Sequence, residues 1–515
     1  MSSGLILTCV ALYTLLLFAV VWYTSRNADN ESYFRGNRSS KWFIVAYGMI
    51  GASLSGVTFV SVPGAVYSSQ LGYMQVVLGY LVGYFVIALI LLPLYYRLNL
   101  TSIYTYLEKR FGIITYKTGS MFFIVSRVVG AALRMFIVIN VLQAFVFDSM
   151  GIPFFVTVSL FIILILLYTY KGGVKTIVWT DMLQTTFMLL SLILTVVFIA
   201  NKLDLGFGGV IDKVWNGKYS QMIFTDWHMK SFFPKQFFGG MFIAIAMTGL
   251  DQEMMQKNIS CKNIKEAQKN MITFSFILVF VNALFLALGA LLYEYSNLPD
   301  IALHTTIDGN IITDEVFPNI ALNYLSPLIG IFFIIGIISA AYPSADGALT
   351  ALTACFCIDI LGMNKNERLS EQDKTKLRHK VHIAFAIILF IVIVIFKIIN
   401  DQAVIYKVLT WAGYTYGPLL GLFAFGIFTK RKLKENLVPF ICITAPVTCF
   451  FLDKYSVVLF SGYKFGFELL IANSILTFAG LFLISSKQLS PNTLSPLEDK
   501  NEEDFSSEKP LDYPA

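Results

Sequence analysis

Residues 42–67 form one apolar stretch whose middle reads Gly51-Ala-Ser-Leu-Ser-Gly56-Val-Thr58, followed by Pro63-Gly64. The stretch is long enough to cross a bilayer as a helix, because the hydrocarbon layer takes about 20 residues at about 1.5 Å each. Its middle does not suit an ordinary lipid-facing helix, since hydroxyls and glycines replace bulky apolar side chains. Backbone groups freed by unwinding in hydrocarbon persist only against protein or a watery cavity, so the segment predicts a helix broken at mid-depth. A second span, five helices further on, carries similar polarity: Ala246-Met-Thr-Gly249-Leu-Asp251-Gln252. Corresponding breaks in two five-helix halves point to an inverted repeat with a binding site near the bilayer midplane. Close helix packing through glycine is the plainer account of the first segment alone, and the pairing weighs against it.

The rest of the chain fits a membrane setting. It is 57% hydrophobic and 14% charged, with a mean hydropathy of +0.70, where soluble chains carry about 25% charged residues. Apolar runs place spans near 4–24, 42–67, 72–97, 118–147, 152–170, 174–201, 234–256, 271–295, 327–361, 381–399, 402–429, 437–452 and 466–486. The fold class is therefore an all-α integral membrane protein of about thirteen crossings. Residues 4–24 form an extra N-terminal helix, 42–201 the first repeat, 234–429 the inverted second repeat and 437–486 two further helices. Residues 487–515 are an acidic tail expected to be disordered in the cytoplasm, and no polar block of domain size is present. The first apolar segment lacks a basic flank and a cleavage signature, so it reads as a retained helix.

Charge gives the orientation. The net charge is +6, and Lys and Arg gather in alternate loops: Arg26, Arg35, Arg38 and Lys41; Arg97, Lys109, Arg110 and Lys117; Lys171 and Lys175; Lys257, Lys262, Lys265 and Lys269; residues 365–380; and residues 430–434. The opposite face carries Asp300, Asp308, Asp314 and Glu315. The positive-inside rule then sets the N-terminus outside and the C-terminus in the cytoplasm, in a bacterial inner membrane. The sequons at Asn30, Asn37, Asn99 and Asn258 fall on the cytoplasmic side. This charge pattern reports a lipid bilayer as partner and no nucleic acid. The six cysteines lack metal-ligand spacing, and no nucleophile–base pair marks an enzyme.

Ionisable residues inside spans cost at least ~2.5–3.5 kcal/mol each unless partnered or hydrated. Arg134, Asp181, Asp251 and Asp346 stand out. Arg134 is either fixed by an aspartate or free to grip a carboxylate through its planar two-pronged head. Residues 339–347 read Ser-Ala340-Ala-Tyr-Pro343-Ser344-Ala-Asp346-Gly347, where Pro343 frees the carbonyl of Ser339. A hydroxyl, a carboxylate and loose carbonyls are hard oxygen ligands suited to an alkali cation.

Five further motifs occur in order: Tyr33-Phe-Arg-Gly-Asn-Arg38, Tyr106-Leu-Glu-Lys-Arg-Phe-Gly112, Gly172-Gly-Val-Lys-Thr-Ile-Val-Trp-Thr-Asp181-Met-Leu-Gln184, Asp251-Gln252 with Gln256-Lys257, and Tyr414-Thr-Tyr-Gly-Pro-Leu-Leu-Gly421. With these, the chain from Ser32 to about Ser486 resembles the bacterial sodium/solute symporters, relatives of the sodium/glucose, proline and sialic acid carriers. The resemblance implies the leucine-transporter-type inverted-repeat fold and secondary active transport driven by Na+. It implies a main sodium site at Gly51, Leu54, Ala340, Pro343 and Ser344, although Pro343 departs from the hydroxyl usual there. Compensation by the Ser339 carbonyl, weak sodium binding and a different coupling ion stay open. A second sodium site in the sialic acid branch matches Asp181, Pro343, Asp346 and Gly347, with the Asp346 carboxylate standing in for lost hydroxyls. Substrate contacts match Ser53, Ser55, Thr58 and Arg134, with Gln75 as a fifth and Asp251 and Gln252 beside the second break. The expectation is a sodium-coupled importer, compatible with a monomer, of a small organic anion such as sialic acid. A symporter of a neutral sugar, polyol or amino acid is the alternative, ahead of a non-transporting sensor of the same fold.

Overall fold

The structure, a computed structural model, describes residues 3–24, 40–100, 102–306, 308–365, 368–399 and 404–489. The motif at 33–38, the sequons at Asn30 and Asn37, the arginines at 26, 35 and 38, and the tail from residue 490 lie outside the described residues. Nine helices among the described residues are long and apolar enough to cross a membrane. In chain order the principal helices begin with α1 Ser3–Thr24, α2 Trp42–Ser69, α3 Tyr73–Arg97 and α4 Ile113–Met150. A single helical run, Phe154–Lys202, comprises α5 Phe154–Thr169 and α6 Thr176–Lys202. Then come α7 Phe233–Ala244, α8 Gln252–Ile259, α9 Ile264–Ser296 and α10 Pro327–Ile360. The chain closes with α11 Glu371–Ile399, α12 Val404–Phe428, α13 Val438–Lys454 and α14 Leu469–Leu483.

The run Phe154–Lys202 spans two expected crossings, and its packing shows that it doubles back. On α10, Gly336 lies against Ser191 of α6, while the ring of Tyr342 packs on Phe161 of α5 at 6.2 Å. Gly336 and Tyr342 are about 9 Å apart along a helix, whereas Phe161 and Ser191 would be about 45 Å apart on a straight one. The run therefore folds back on itself against α10 rather than lying straight along it, as two spans require.

Both expected breaks are present. Within α2, Ser55 has φ 38° and ψ 172°, a conformation that costs a residue with a Cβ about 1–3 kcal/mol and recurs at functional sites. The second core helix runs through α7, widens at Ile245–Gly249 and stops where Asp251 turns extended, φ −101° and ψ 122°, before α8 begins. The carbonyls released there find partners inside the protein, as a low-dielectric setting demands. The hydroxyl of Tyr95 donates to Gly249 O at 2.8 Å and that of Tyr104 to Leu250 O at 2.7 Å. The helix continues through Pro343 in α10, so the Ser339 carbonyl loses its usual helical donor.

The second broken helix is held against α3 by close backbone packing. A Cβ on Gly79 of α3 would lie 2.0 Å from the carbonyl oxygen of Phe237 in α7, and one on Gly240 would lie 2.3 Å from that of Val76. Only glycine allows this approach. Near the chain's end, Arg431–Leu433 pairs antiparallel with Ser485–Leu489.

Two residues read as loop charges are interior. Arg110 is buried and donates to the carbonyls of Thr429 at 2.6 Å and Arg431 at 3.2 Å. Lys257 is likewise buried, so neither advertises a solvent-facing loop, and Asn258 beside it is fully enclosed.

Candidate functional site

The break in α2 opens onto a cavity of about 90 Å³, room for several waters. Ser53, Ser55 and Thr58 line it from α2, Arg127 and Arg134 from α4, and Thr248 and Asn282 from the second half, with Tyr73, Tyr80 and Tyr84 from α3. The two breaks thus meet across a shared chamber: Ala52–Ser55 form one wall, and Met247, Thr248 and Met254 the facing one.

Arg127 and Arg134 are two turns apart on one face of α4, yet their surroundings differ. Arg127 is buried and ion-paired with the Glu253 carboxylate, and its Nη1 stands 3.5 Å from Asp251 Oδ2. Asp251 is fully committed. Its Oδ1 accepts from the backbone N–H groups of Glu253 at 3.0 Å and Met254 at 3.3 Å, capping α8. Its Oδ2 also accepts from the Tyr416 hydroxyl at 2.8 Å. Arg134, partly buried at the cavity wall, has no carboxylate within ion-pair distance among the described residues. The aspartate that offered to satisfy Arg134 is taken by Arg127.

Three of the expected contact residues are placed elsewhere, outside the cavity lining. Gln75 is buried and bound to loop backbone: its amide donates to Ser231 O at 3.1 Å and accepts from Phe224 N at 3.3 Å. Gln252 Oε1 accepts from Ile103 N at 2.9 Å, and Asp251 is spent as described. Each of these side chains already has protein partners.

On the other side of α2, Gly51 N donates to Thr185 Oγ1 of α6 at 3.1 Å. Gly51, Leu54, Ala340, Pro343 and Ser344 are all buried, and α2 packs directly on α10. Ser344 Oγ is buried without a hydrogen-bond partner, an unused oxygen of the sort a dehydrated cation takes. The two carboxylates expected to help already touch protein groups, although Asp181 Oδ1 is buried without a hydrogen-bond partner among the described residues. Asp181 Oδ2 lies 2.7 Å from Lys257 Nζ. Asp346 accepts from the Tyr168 hydroxyl at 2.6 Å and from Gly347 N at 2.5 Å. Lys257 also reaches Glu253 Oε1 at 3.1 Å, so a buried chain of alternating charge runs Asp181, Lys257, Glu253, Arg127, Asp251.

Sequence reasoning missed four members of this arrangement. Arg127 announces itself in hindsight by its seven-residue spacing from Arg134. Lys257 falls one residue past the expected span 234–256 and reads as a loop charge, while Glu253 lies inside that span and is passed over. Asn282, whose Oδ1 is buried without a partner among the described residues at the cavity wall, is the one polar residue in the apolar stretch 276–292 of α9.

Residues 33–435 match the sodium:solute symporter family. Among curated proteins the chain is 27% identical over 427 residues to the sodium/sialic acid symporter SiaT of Proteus mirabilis, covering 81% of this chain and 83% of that one. It is 27% identical over 447 residues to the sodium/sialic acid symporter NanT of Aliivibrio fischeri, covering 82% and 83%. The solved structure of a Na+-coupled sialic acid symporter in a substrate-bound outward-open state superposes with a TM-score of 0.79 at 22% identity, over 94% of this chain and 99% of that one. The last likeness shows a shared fold. The family is one of integral membrane transporters that couple a small solute to sodium, rather than of enzymes. With a match across most of its length, the chain belongs to the sodium:solute symporter family.

Proposed function

We propose that this chain imports sialic acid, or a closely related carboxylate-bearing sugar, together with sodium by alternating access across a bacterial inner membrane. The observation that carries the substrate class is Arg134, a guanidinium at the wall of a hydroxyl-rich cavity with no carboxylate of its own among the described residues. A bidentate clamp on the solute's carboxylate would satisfy it, while Ser53, Ser55, Thr58 and the Asn282 carbonyl would meet sugar hydroxyls. Neutral sugars would leave the charge without its partner. The resemblance of the chain to two sodium/sialic acid symporters supports the same reading.

The main sodium position in this reading lies between α2 and α10, with carbonyls of Gly51, Leu54 and Ala340 and the free hydroxyl of Ser344. Pro343 contributes through the carbonyl it releases, and Asp181 and Asp346 contribute negative potential. The topology proposed is about thirteen crossings with the N-terminus outside. Residues 42–201 and 234–429 form inverted repeats, 437–486 complete the bundle, and 487–515 are a cytoplasmic tail of a working monomer.

Uptake of labelled sialic acid into proteoliposomes tests the whole. Accumulation driven by an inward sodium gradient is expected. Equal uptake on a proton gradient without sodium, or uptake of neutral hexoses in preference to sialic acid, would defeat the reading.

A further inference from the structure

The family resemblance implies a second cation position at Asp181, Pro343, Asp346 and Gly347, and the residues here do not fit one. An alkali ion stripped of water needs a shell of oxygens in place of its hydration. Pro343 and Gly347 bring no side-chain oxygen. Both oxygens of Asp346 are engaged, one by the Tyr168 hydroxyl and one by Gly347 N. Asp181 Oδ2 is in contact with Lys257 Nζ at 2.7 Å, which leaves Asp181 Oδ1, buried without a hydrogen-bond partner among the described residues, as a single free oxygen where a stripped ion needs several. The bareness of Gly347 has a use, because a Cβ there would stand 2.2 Å from Glu253 Oε1. Glycine at that position lets Glu253 approach, and Glu253 holds Lys257 from its other side at 3.1 Å. Asp181, Glu253 and Lys257 are all buried.

We propose that the Lys257 ammonium is a resident cation that takes the place of a second sodium ion, so that this carrier binds a single sodium ion at the α2–α10 position. A tethered ammonium between two buried carboxylates is present whatever the external sodium concentration, whereas a free ion must first be captured and desolvated. The lysine thus holds α6 to α8 permanently and leaves only the position beside Ser344 responsive to sodium. Through Glu253 the same ammonium is linked to Arg127 at the cavity wall. The proposal rests on the sodium-coupled reading and deepens it by fixing the number of ions.

The test counts bound ²²Na on purified full-length protein, independently of solute uptake. The wild type is expected to bind about one sodium ion, with a sodium titration of thermal stability that follows a single-site curve. Lys257→Met, which removes the ammonium, keeps the stem and frees the Asp181 and Glu253 carboxylates to hold an ion between them, should bind about two and give a steeper curve. The double variant Asp181→Asn with Lys257→Met should return to about one. Two sodium ions on the wild type would overturn the proposal even if no variant folds. A folded Lys257→Met protein that still binds one would overturn it as well. Absence of sodium binding by the wild type would instead overturn the sodium-coupled reading beneath it.

Discussion

Replacing Arg134 and Arg127 separately by alanine should produce opposite phenotypes, although the two are chemically identical and neighbours on one helix face. Arg127 is paired with Glu253 and Asp251. Removing one partner of a buried ion pair typically costs about 3–5 kcal/mol, because the remaining charge is left without compensation. Arg127→Ala should therefore unfold at a distinctly lower temperature in detergent. Arg134 has no such partner among the described residues, so Arg134→Ala should leave thermal stability nearly unchanged. What it removes is the solute's counter-charge, and hydrogen bonds to charged groups contribute about 1.5–3 kcal/mol each. The two bonds of the clamp together contribute about 3–6 kcal/mol, so at about 1.4 kcal/mol per decade sialic acid should bind at least about 100-fold more weakly to the variant. Isothermal titration calorimetry in saturating sodium measures the affinity, and a melting curve on the same samples measures stability. An Arg134→Ala protein that binds within about threefold of the wild type, or that melts as early as Arg127→Ala, would refute the division of labour.

Ser344→Ala should raise the sodium concentration needed for half-maximal uptake severalfold while barely shifting the melting temperature, since Ser344 Oγ has no protein partner to lose. Ser55→Gly should stabilise the fold by about 1–3 kcal/mol in thermal or denaturant unfolding, because glycine adopts φ 38° without strain, yet weaken solute binding through the lost hydroxyl. Glu435→Ala should destabilise by about 1 kcal/mol in the same melts, because Glu435 Oε2 accepts from Ile114 N at 3.0 Å and Thr115 N at 3.5 Å at the start of α4.

The breaks were legible because polarity in an apolar span has few physical excuses. Serine and glycine at mid-depth led directly to Ser55, and the Gly249–Asp251 run to the second interruption. The assignment of partners was less legible. Asp251 as sequence reads as a substrate contact beside the second break, and only the helix start at Gln252 and the arrival of Tyr416 and Arg127 show it capping α8 and pairing with protein. Lys257 was misread for a related reason: the rule that puts basic residues in cytoplasmic loops holds on average, and one turn of helix separates a loop lysine from an interior one. Gln75 shows the same limit, since a lone amide in an apolar helix gives no sign of whether it faces a chamber or fastens a loop.

Where Gly79 and Gly240 bring α3 and α7 together, main chain touches main chain with no side chain between to act as a bearing. Such a seam has no room to slide or rock, since any shift drives carbonyl oxygen into carbon. The pair must travel as one stiff plate through the transport cycle. The give that exposes the chamber first to one side and then to the other has to be found where a side chain rather than main chain makes the contact, as Val138 of α4 does at Gly56 of α2 and Phe59 of α2 does at Gly336 of α10.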